Sequence, residues 1–456
     1  MKSEEGEMKS EGLSCLLIEK ALKLALKDGW IREEDTAVIF YDLEFLKSRM
    51  EELKRIFPPL TLHALAIKAN PLIRILEFSR KLGMGVEAAS MGEVRLALKT
   101  GYKPEQIVYD SPVKTRTELE FALKAGIHIN IDNLSELGRV SQICQTHIPT
   151  GSVGIRINPQ VGLGSILESS VAGEYSKFGL PIKTRKQELL KAFSENPWLT
   201  GVHLHVGSQG CPMELLINGI GVLYDFVKEV NEIRRKASFP PIDIFDIGGG
   251  LPIAYHRNEQ PPSMEAYVQA IREKAPELFN YKVTNSPTHQ LTSSPAHQLT
   301  NSPTFKLITE FGRWTFTNSG WTASRVEYVK HDPGIRTAMI HVGADLFVRE
   351  CLNPGDWHHE YSVFDKFGNL KTGEDSLPYN LAGPLCFSGD ILAREVKLPP
   401  VVEGDFLVIH DTGGYTFSMW SRYNSRQTPR ILGFQGEKFE ILKERETLEE
   451  VGAFWK

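Results

Sequence analysis

Several residues that could carry chemistry stand where short apolar runs end. These positions are Lys68, Glu87, His205, Gly248–Gly250 and Glu310. Short apolar runs between segments of helical pattern are typical of buried parallel strands, whose carboxyl ends lie at one face of the fold. Because the side chains at those ends converge, we expect these positions to form one site.

Lys68 and Glu310 have complementary chemical uses. Desolvation at a strand end would lower the pKa of Lys68, which favours Schiff-base chemistry. A carboxylate at Glu310 could keep a pyridine nitrogen protonated, and a protonated ring is the electron sink that stabilises a carbanion. Position alone favours a simpler interpretation of Lys68, as a lysine in a surface loop. The simpler alternative for Glu310 is an ordinary surface pair with Arg313.

Gly248-Gly249-Gly250 follows an apolar segment and an acid. Glycines allow backbone N–H groups to approach an anion, and phosphate sites after the last strands are common in barrels. Ser208 could add a hydroxyl to the same phosphate. The alternative is a plain tight turn, and a run of three glycines alone is weak evidence for a phosphate site.

His203 and His205 lie two residues apart and share one face of a strand. Such a pair could bind zinc, but the further ligands that a metal-binding barrel needs are not evident, so we predict no metal site. We interpret His205 as a ring that stacks on a planar cofactor and His203 as a satisfied interior histidine. With a Schiff-base lysine, a phosphate cradle and a pyridinium partner, the set predicts a pyridoxal phosphate site.

The elements that must position these residues alternate along the chain and predict an α/β fold with a (β/α)₈ barrel. The apolar runs are Leu62–Ile67, Val86–Ala89, Ile107–Tyr109, Ile127–Ile131, Val153–Ile157, Val202–Val206, Ile242–Ile247 and Phe305–Thr309. A doubly wound open sheet is the structural alternative.

The pattern then changes to short strands without long helices between them, which predicts a C-terminal β-domain over 313–456. We expect an N-terminal extension with a short helix over 1–36 and the barrel over 37–312, with strand 37–42 joining the β-domain. Near-copies of a Pro- and Ser-rich octad begin at Thr284. Since this composition cannot bury a core, we expect 284–303 to be a disordered surface insertion.

The composition excludes several classes of protein. The 456 residues are 41% hydrophobic and 24% charged, which is typical of a globular chain. The net charge of −5 offers no basic excess, so we expect no nucleic-acid partner. No apolar run approaches the roughly 20 residues that span a bilayer. The N-terminus resembles no secretory signal, so we expect a cytoplasmic protein without membrane association. Five scattered cysteines argue against a disulfide framework.

The motifs around these residues resemble a known family. The sequence is similar to the fold-type III pyridoxal phosphate decarboxylases, which pair an alanine-racemase-like barrel with a β-domain, and within them to the diaminopimelate decarboxylases. The matching segments are AIKAN (66–70), VEAASMGE (86–93), GIRINPQVGLG (154–164), SKFG (176–179), HLHVGSQG (203–210), DIGGG (246–250), EFGR (310–313), GPLCFSGD (383–390), DTGGY (411–415) and YNSR (423–426).

The resemblance implies pyridoxal 5′-phosphate as cofactor and decarboxylation of meso-diaminopimelate to L-lysine, or of a related D- or meso-amino acid. It implies a homodimer with shared active sites, in which Cys386 of one subunit donates a proton in the other. The implied catalytic residues are Lys68, His205, Glu310 and Cys386. Those implied to hold the cofactor are Lys68, His205, Ser208, Gly248, Gly249, Gly250, Glu310, Gly312 and Tyr415. Those implied for the substrate are Arg313, Arg349, Phe387 and Tyr415.

Three departures from the family motifs mark the substrate side. The family's EPGR is EFGR here, which keeps Glu310 and Arg313. Phe387 replaces a carboxylate that resembles the clamp for the substrate's distal amine. Asn353 stands where a tyrosine is expected. We therefore expect an altered distal group, and another diamino acid or an extended amino-acid derivative is the alternative substrate.

Two other functions compete with decarboxylation. Racemases of the alanine type pair the pyridine nitrogen with an arginine, so Glu310 argues against a racemase. A non-catalytic binding relative would have no need of Lys68, His205, Gly248–Gly250, Glu310 and Cys386, all of which this sequence keeps.

Overall fold

Two large sheets, a separate two-stranded ribbon and the helices around them make up the computed structural model, which describes residues 14–285, 299–303, 305–373 and 375–456. The strands there are β1 (Ala37–Asp42), β2 (Leu62–Ala66), β3 (Gly85–Ala88), β4 (Ile107–Asp110), β5 (His128–Ile131), β6 (Val153–Asn158), β7 (Leu180–Pro181), β8 (Leu199–His203), β9 (Ile244–Asp246), β10 (Tyr281–Asn285), β11 (Leu299–Pro303), β12 (Lys306–Thr309), β13 (Gly320–Asp332), β14 (Ile335–Ile340), β15 (Tyr361–Phe364), β16 (Leu377–Ala382), β17 (Ile391–Leu398), β18 (Phe406–Ile409), β19 (Arg430–Gln435) and β20 (Lys438–Lys443).

The helices cover the sheets or cap their ends. In the same described ranges they are α1 (Cys15–Lys27), α2 (Leu43–Ile56), α3 (Ile73–Lys81), α4 (Met91–Lys99), α5 (Arg116–Ala125), α6 (Leu134–Cys144), α7 (Ile182–Glu195), α8 (Met213–Lys236), α9 (Met264–Lys274), α10 (Arg313–Phe316), α11 (Val348–Leu352) and α12 (Leu448–Phe454).

The first sheet is a closed barrel of parallel strands. Its strands neighbour one another in the order β2, β3, β4, β5, β6, β8, β9 and β12, and β12 pairs back onto β2. The strands are buried almost throughout, because helices cover the outside and side chains fill the inside. The predicted (β/α)₈ barrel is confirmed, and the open doubly wound sheet is wrong.

Helix caps fix where the barrel helices start and stop. At the start of α5, Thr115 accepts from the backbone N–H of Glu118 while the Glu118 carboxylate accepts from Thr115, a reciprocal capping box. The same helix ends at Gly126, whose φ of +89° suits the left-handed cap that glycine adopts without strain. Such local signals end a helix at a defined residue, from which the chain enters the next strand. The carboxyl ends of the parallel strands therefore lie on one face of the barrel.

The second sheet is mixed and forms the β-domain. Its main path runs β17, β16, β14, β13, β1, β19 and β20, while β18 pairs with β13 and β15. Strand β1 lies between an antiparallel neighbour, β13, and a parallel neighbour, β19. Every residue of β1 is buried, as expected of a central strand. The division of the chain after 36 and after 312 stays a prediction.

The octad segment is flanked by a two-stranded ribbon, in which Tyr281–Asn285 and Leu299–Pro303 pair antiparallel. The expected disordered insertion over 284–303 stays a prediction. Extended backbones that leave and re-enter the barrel side by side can satisfy each other's hydrogen bonds. The remainder of the predicted insertion, 286–298, lies outside the described residues.

The N-terminal helix α1 packs on the β-domain. Ile18 and Leu22 of α1 are fully buried in a cluster with Phe364 and Val408. Within the described ranges, no helix combines the length and the hydropathy that crossing a membrane requires.

Candidate active site

Lys68 lies in a short helical turn, Ile67–Ala69, directly after β2. Its Nζ is 2.5 Å from Oε2 of Glu87, a fully buried carboxylate on β3. Burial alone would lower the pKa of Lys68, but the negative charges of Glu87 and Glu310 outweigh burial and raise it above its ordinary value. The prediction of a lowered pKa for Lys68 is therefore wrong, because the strand end supplies a counter-ion as well as an apolar wall.

His205 follows β8 and is tied to the glycine run. Its Nδ1 accepts a hydrogen bond from the backbone N–H of Gly249 at 3.2 Å. Burial, followed by the positive charge of Arg156, lowers the pKa of His205 to about 3. The ring is therefore neutral across the physiological range, which suits a face that packs on a planar partner.

The glycine run is closely packed against the neighbouring strand ends. A Cβ on Gly250 would lie 2.0 Å from the carbonyl oxygen of Gly207, and one on Gly249 would lie 2.5 Å from that of Glu310. Gly248 and Gly250 also have φ values of +63° and +110°. These positions need glycine, so the run is more than a plain turn.

Glu310 follows β12, and its two carboxylate oxygens have different surroundings. Oε2 is 3.5 Å from Nε2 of His203, whereas Oε1 is buried and has no hydrogen-bond partner among the described residues. Burial would raise the pKa of Glu310, but the positive charge of His203 outweighs burial and lowers it. Glu310 thus faces the cavity as a carboxylate rather than pairing with Arg313 on the surface.

Arg313 and Ser208 form one hydrogen-bonded group. The Arg313 guanidinium donates from Nε to Ser208 Oγ at 3.0 Å and from Nη1 to Tyr255 Oη at 2.7 Å. Arg313 is only 6% exposed, and its guanidinium carbon lies 4.5 Å from the ring centroid of Tyr415. A positive charge beside the serine favours an anion at this corner of the site.

Tyr415 and Arg349 reach the barrel from the β-domain. The backbone N–H of Tyr415 donates to the carbonyl of Ala69 at 3.0 Å, and its φ of +57° is a strained conformation for tyrosine. Arg349 donates to the Tyr415 carbonyl at 2.9 Å and stacks 4.0 Å from the centroid of Trp357. The two domains therefore meet beside Lys68.

A cavity of about 510 Å³ brings most of the predicted residues together. Its walls include Lys68, His205, Ser208, Gly250, Glu310, Gly312, Arg313, Arg349 and Tyr415. Gly248 and Gly249 lie immediately behind, where Gly249 contacts His205. A Cβ on Gly312 would lie 3.2 Å from the Tyr415 hydroxyl.

Cys386 and Phe387 are not part of this wall. Cys386 is exposed, and its backbone N–H donates to Asn424 Oδ1 at 2.8 Å. Phe387 is 37% exposed and packs edge-to-face on Tyr423. The structure of one chain does not bring these two residues to the cavity.

The chain resembles known proteins over nearly all its length. The family model described as the pyridoxal-binding domain of pyridoxal-dependent decarboxylases matches residues 43–295. The chain belongs to this family. It is therefore a decarboxylase that depends on pyridoxal phosphate, a carboxy-lyase, and the predicted family, activity and cofactor are confirmed.

Individual relatives agree with this membership. A diaminopimelate decarboxylase from Methanothermobacter thermautotrophicus is 30% identical over 387 residues, which are 85% of this chain and 83% of the relative. The crystal structure of diaminopimelate decarboxylase from Helicobacter pylori complexed with L-lysine is 26% identical, with a TM-score of 0.78 and coverage of 94% and 99%. The diaminopimelate decarboxylase from M. jannaschii in co-complex with L-lysine is also 26% identical, with a TM-score of 0.78 and coverage of 95% and 94%.

The residues present fit pyridoxal phosphate. Glu310 lines the cavity, and its Oε1 makes no hydrogen bond in the described part of the chain, so this carboxylate has capacity left for a protonated ring nitrogen. Ser208, Arg313 and the glycine backbone offer hydrogen-bond donors and a positive charge, which suit a phosphate. The Lys68 amine lines the same cavity.

Some residues of the site were not assigned a role from the sequence. Asp110 ends β4 and pairs with Arg156 at 2.8 Å, and Glu87 pairs with Lys68. Asp110 directly follows a predicted strand and Glu87 lies within the predicted strand Val86–Ala89, so an acidic residue beside or inside an apolar run was the available signal. His203 lies between two carboxylates rather than being an ordinary satisfied histidine. Trp357 comes from a loop of the β-domain, and no signal in the sequence placed it at the barrel.

Proposed function

We propose that this enzyme decarboxylates meso-diaminopimelate or a related D- or meso-amino acid with a different distal end. One observation supports the proposal most: a single cavity contains Lys68, Glu310 and two arginines, Arg313 and Arg349. The relatives that match the chain over most of its length include diaminopimelate decarboxylases.

The residues divide the work of the reaction. Lys68 would hold the cofactor covalently and give way to the substrate amine. Bound pyridoxal phosphate supplies an electron sink for the pair left when the bond from Cα to the carboxylate carbon breaks and carbon dioxide leaves. Glu310 would hold its negative charge against the ring nitrogen, and His205 would pack its neutral ring on the cofactor face. Ser208 and the backbone of Gly248–Gly250 would bind the phosphate.

The far end of the substrate would meet the β-domain side of the cavity. The backbone near Gly312 and the hydroxyl of Tyr415 would help to hold the phosphate of the cofactor. Arg349 is 15% exposed there, and its fork geometry suits a carboxylate or another anionic group. Val348 and Leu352 of α11 add apolar wall beside it. This mixture favours a distal end that is anionic or apolar.

Phe387 changes the contact that a partner subunit could make with the distal amine of the substrate. A buried ammonium without its carboxylate costs roughly 3–5 kcal/mol, whereas a phenyl ring returns only about 0.5–2 kcal/mol as a cation–π contact. Asn353, at the end of α11, lines the same cavity in place of the expected tyrosine. We therefore propose weakened use of meso-diaminopimelate and a preference for a less cationic or more apolar distal group.

The experiment is a comparison of kcat/KM for carbon dioxide release. The panel contains meso-diaminopimelate, other D-, L- and meso-diamino acids, and their N-acylated or extended derivatives. Phe387→Glu should move activity toward diaminopimelate, while Phe367→Glu, at an exposed phenylalanine in the turn after β15, should not. If the unmodified enzyme uses diaminopimelate at about 10⁴ M⁻¹ s⁻¹ or better, and above every alternative, the proposed role of Phe387 is wrong.

We also propose that the active enzyme is a cytoplasmic homodimer. Cys386 would then act as proton donor to Cα, and Phe387 as a substrate contact, in the cavity of the partner. Both residues are exposed in a single chain and lie outside its cavity. A role for them in the reaction therefore requires the cavity of a second subunit, which supports a dimer.

A further inference from the structure

His203 is a buried histidine that the proposed reaction does not use. It ends β8 with its side chain inside the barrel and has no exposed surface. Nδ1 is 3.7 Å from Asp110 Oδ1, and Nε2 is 3.5 Å from Glu310 Oε2. The imidazole therefore lies between a carboxylate on β4 and the carboxylate that follows β12, at ion-pair distance from each, and neither ring nitrogen has a hydrogen-bond partner among the described residues.

The surroundings of His203 are strongly acidic. The titratable groups that face it from the neighbouring strands are Asp110, His128, His205, Asp246 and Glu310. Burial alone would lower the pKa of His203, but the charges of Asp110, Glu310 and Asp246 raise it to about 9. Burial lowers the pKa of His128 to about 4 and that of His205 to about 3. Of the three histidines His128, His203 and His205, His203 is therefore the one that carries a positive charge near neutral pH.

The remaining carboxyl groups show why this charge matters. Asp110 already pairs with Arg156, and Asp246 accepts hydrogen bonds from the Gly248 backbone N–H and from Asn130. Burial, followed by the charge of Glu310, raises the pKa of Asp246 well above its ordinary value. Glu310 lies among these groups, and His203 is the cation that approaches its Oε2. Lys68 is a second cation that lowers the pKa of Glu310, but without His203 the larger influences, which are burial and the charge of Asp110, would favour protonation of Glu310.

We propose that His203 is a positioning residue, an imidazolium held between Asp110 and Glu310 that keeps Glu310 ionised and oriented for the cofactor ring nitrogen. The position of His203 carries the argument, because it lies between the two carboxylates while Glu310 lines the cavity. The inference rests on the proposed role of Glu310, and it adds the residue that sets the charge of Glu310.

The test is equilibrium binding of two ligands to the cofactor-free full-length chain: pyridoxal phosphate, and the 1-deaza analogue in which carbon replaces the ring nitrogen. The unmodified chain should prefer pyridoxal phosphate, since only its ring nitrogen can pair with Glu310. His203→Gln should reduce that preference by about tenfold or more, with little change in the affinity for the analogue. His410→Gln, at a buried histidine of the β-domain that bonds Ser362, should leave the preference intact.

Every other outcome of the binding experiment contradicts the proposal. Equal weakening of both ligands in His203→Gln would show a merely structural role, and an unchanged preference would show that His203 does not act through Glu310. Glu310→Gln separates the two hypotheses. If Glu310→Gln still prefers pyridoxal phosphate over the analogue as strongly as the unmodified chain does, then Glu310 does not pair with the ring nitrogen, and its proposed role is wrong. If it loses the preference while His203→Gln keeps it, only the role of His203 fails.

A second measurement needs no variant and covers the case in which His203→Gln does not fold. Neutron diffraction from crystals of the deuterated holoenzyme near neutral pH should show deuterium on both Nδ1 and Nε2 of His203. Deuterium on only one ring nitrogen would overturn the proposal, because a neutral ring cannot supply the charge.

Discussion

Gly250→Ala should damage cofactor binding through a backbone collision. The new Cβ would lie 2.0 Å from the carbonyl oxygen of Gly207 and 3.1 Å from its carbon. Gly207 directly precedes Ser208, whose hydroxyl accepts from Arg313. Because the obstacle is backbone, it cannot rotate away, and the strand end that carries Ser208 must move.

Two contributions to the cost can be separated. Gly250 has a φ of +110°, and a residue with a Cβ pays roughly 1–2 kcal/mol for a left-handed backbone. The overlap with Gly207 adds roughly 1–3 kcal/mol, as overpacking does elsewhere. Gly404 is a matched control, with a φ of +88° and no atom within 4 Å of an added Cβ. Gly404→Ala should therefore show the first cost alone.

The assays are urea denaturation and equilibrium binding of pyridoxal phosphate. Gly404→Ala should lower the free energy of unfolding by about 1–2 kcal/mol and leave the dissociation constant unchanged. Gly250→Ala should lose more stability and raise the dissociation constant about tenfold or more, equivalent to about 1.4 kcal/mol. If Gly250→Ala binds the cofactor as tightly as Gly404→Ala, the glycine run does not shape the phosphate site.

Three further predictions follow from the same geometry. Lys68→Ala should fold normally but lose turnover and the yellow absorbance of bound cofactor, and a variant that keeps both would refute its role. Inactive Lys68→Ala and Cys386→Ala chains should regain about a quarter of the original activity when mixed at random, since half the dimers then hold one intact site; verified mixed dimers without activity would show that sites are not shared. The raised pKa of His203, about 9, adds stability that is present below pH 6.5 and lost as pH rises through 9. Urea denaturation across that window should show the loss in the unmodified enzyme and a smaller one in His203→Gln.

The barrel could be predicted because its signals are local. Each strand is a short apolar run with a helix beside it, and most ends fall within a few residues of the prediction. Strand β8 is an exception, since it ends at His203 rather than at Val206. The chain leaves the ladder there to pass close to Gly248, and only the folded contact shows that.

The β-domain was less predictable. Strands β16 and β17 carry charged or exposed residues among the apolar ones, so their alternation is weak in the sequence. Their stability comes from pairing with β14 and with each other, which are contacts between distant segments.

The site was predictable in its members but not in its electrostatics. Residue type and strand position were enough to group Lys68, His205 and Glu310. The raised pKa of Lys68 depends on Glu87 of the neighbouring strand β3, and the position of His203 depends on Asp110, which the closed barrel brings across from β4. Cys386 could be found only through its motif, GPLCFSGD, because its proposed place lies in another chain.

The position of β1 has a consequence for biosynthesis. Val38 pairs with Arg430, so a strand that leaves the ribosome early waits for one made almost last. The barrel can close while the ribosome still holds the rest of the chain, but the sheet of the β-domain cannot. During that interval β1 exposes an apolar edge that chaperones or neighbouring nascent chains can bind. Premature termination before β19 would therefore leave a formed barrel with an unprotected strand, a species prone to aggregation rather than a functional fragment.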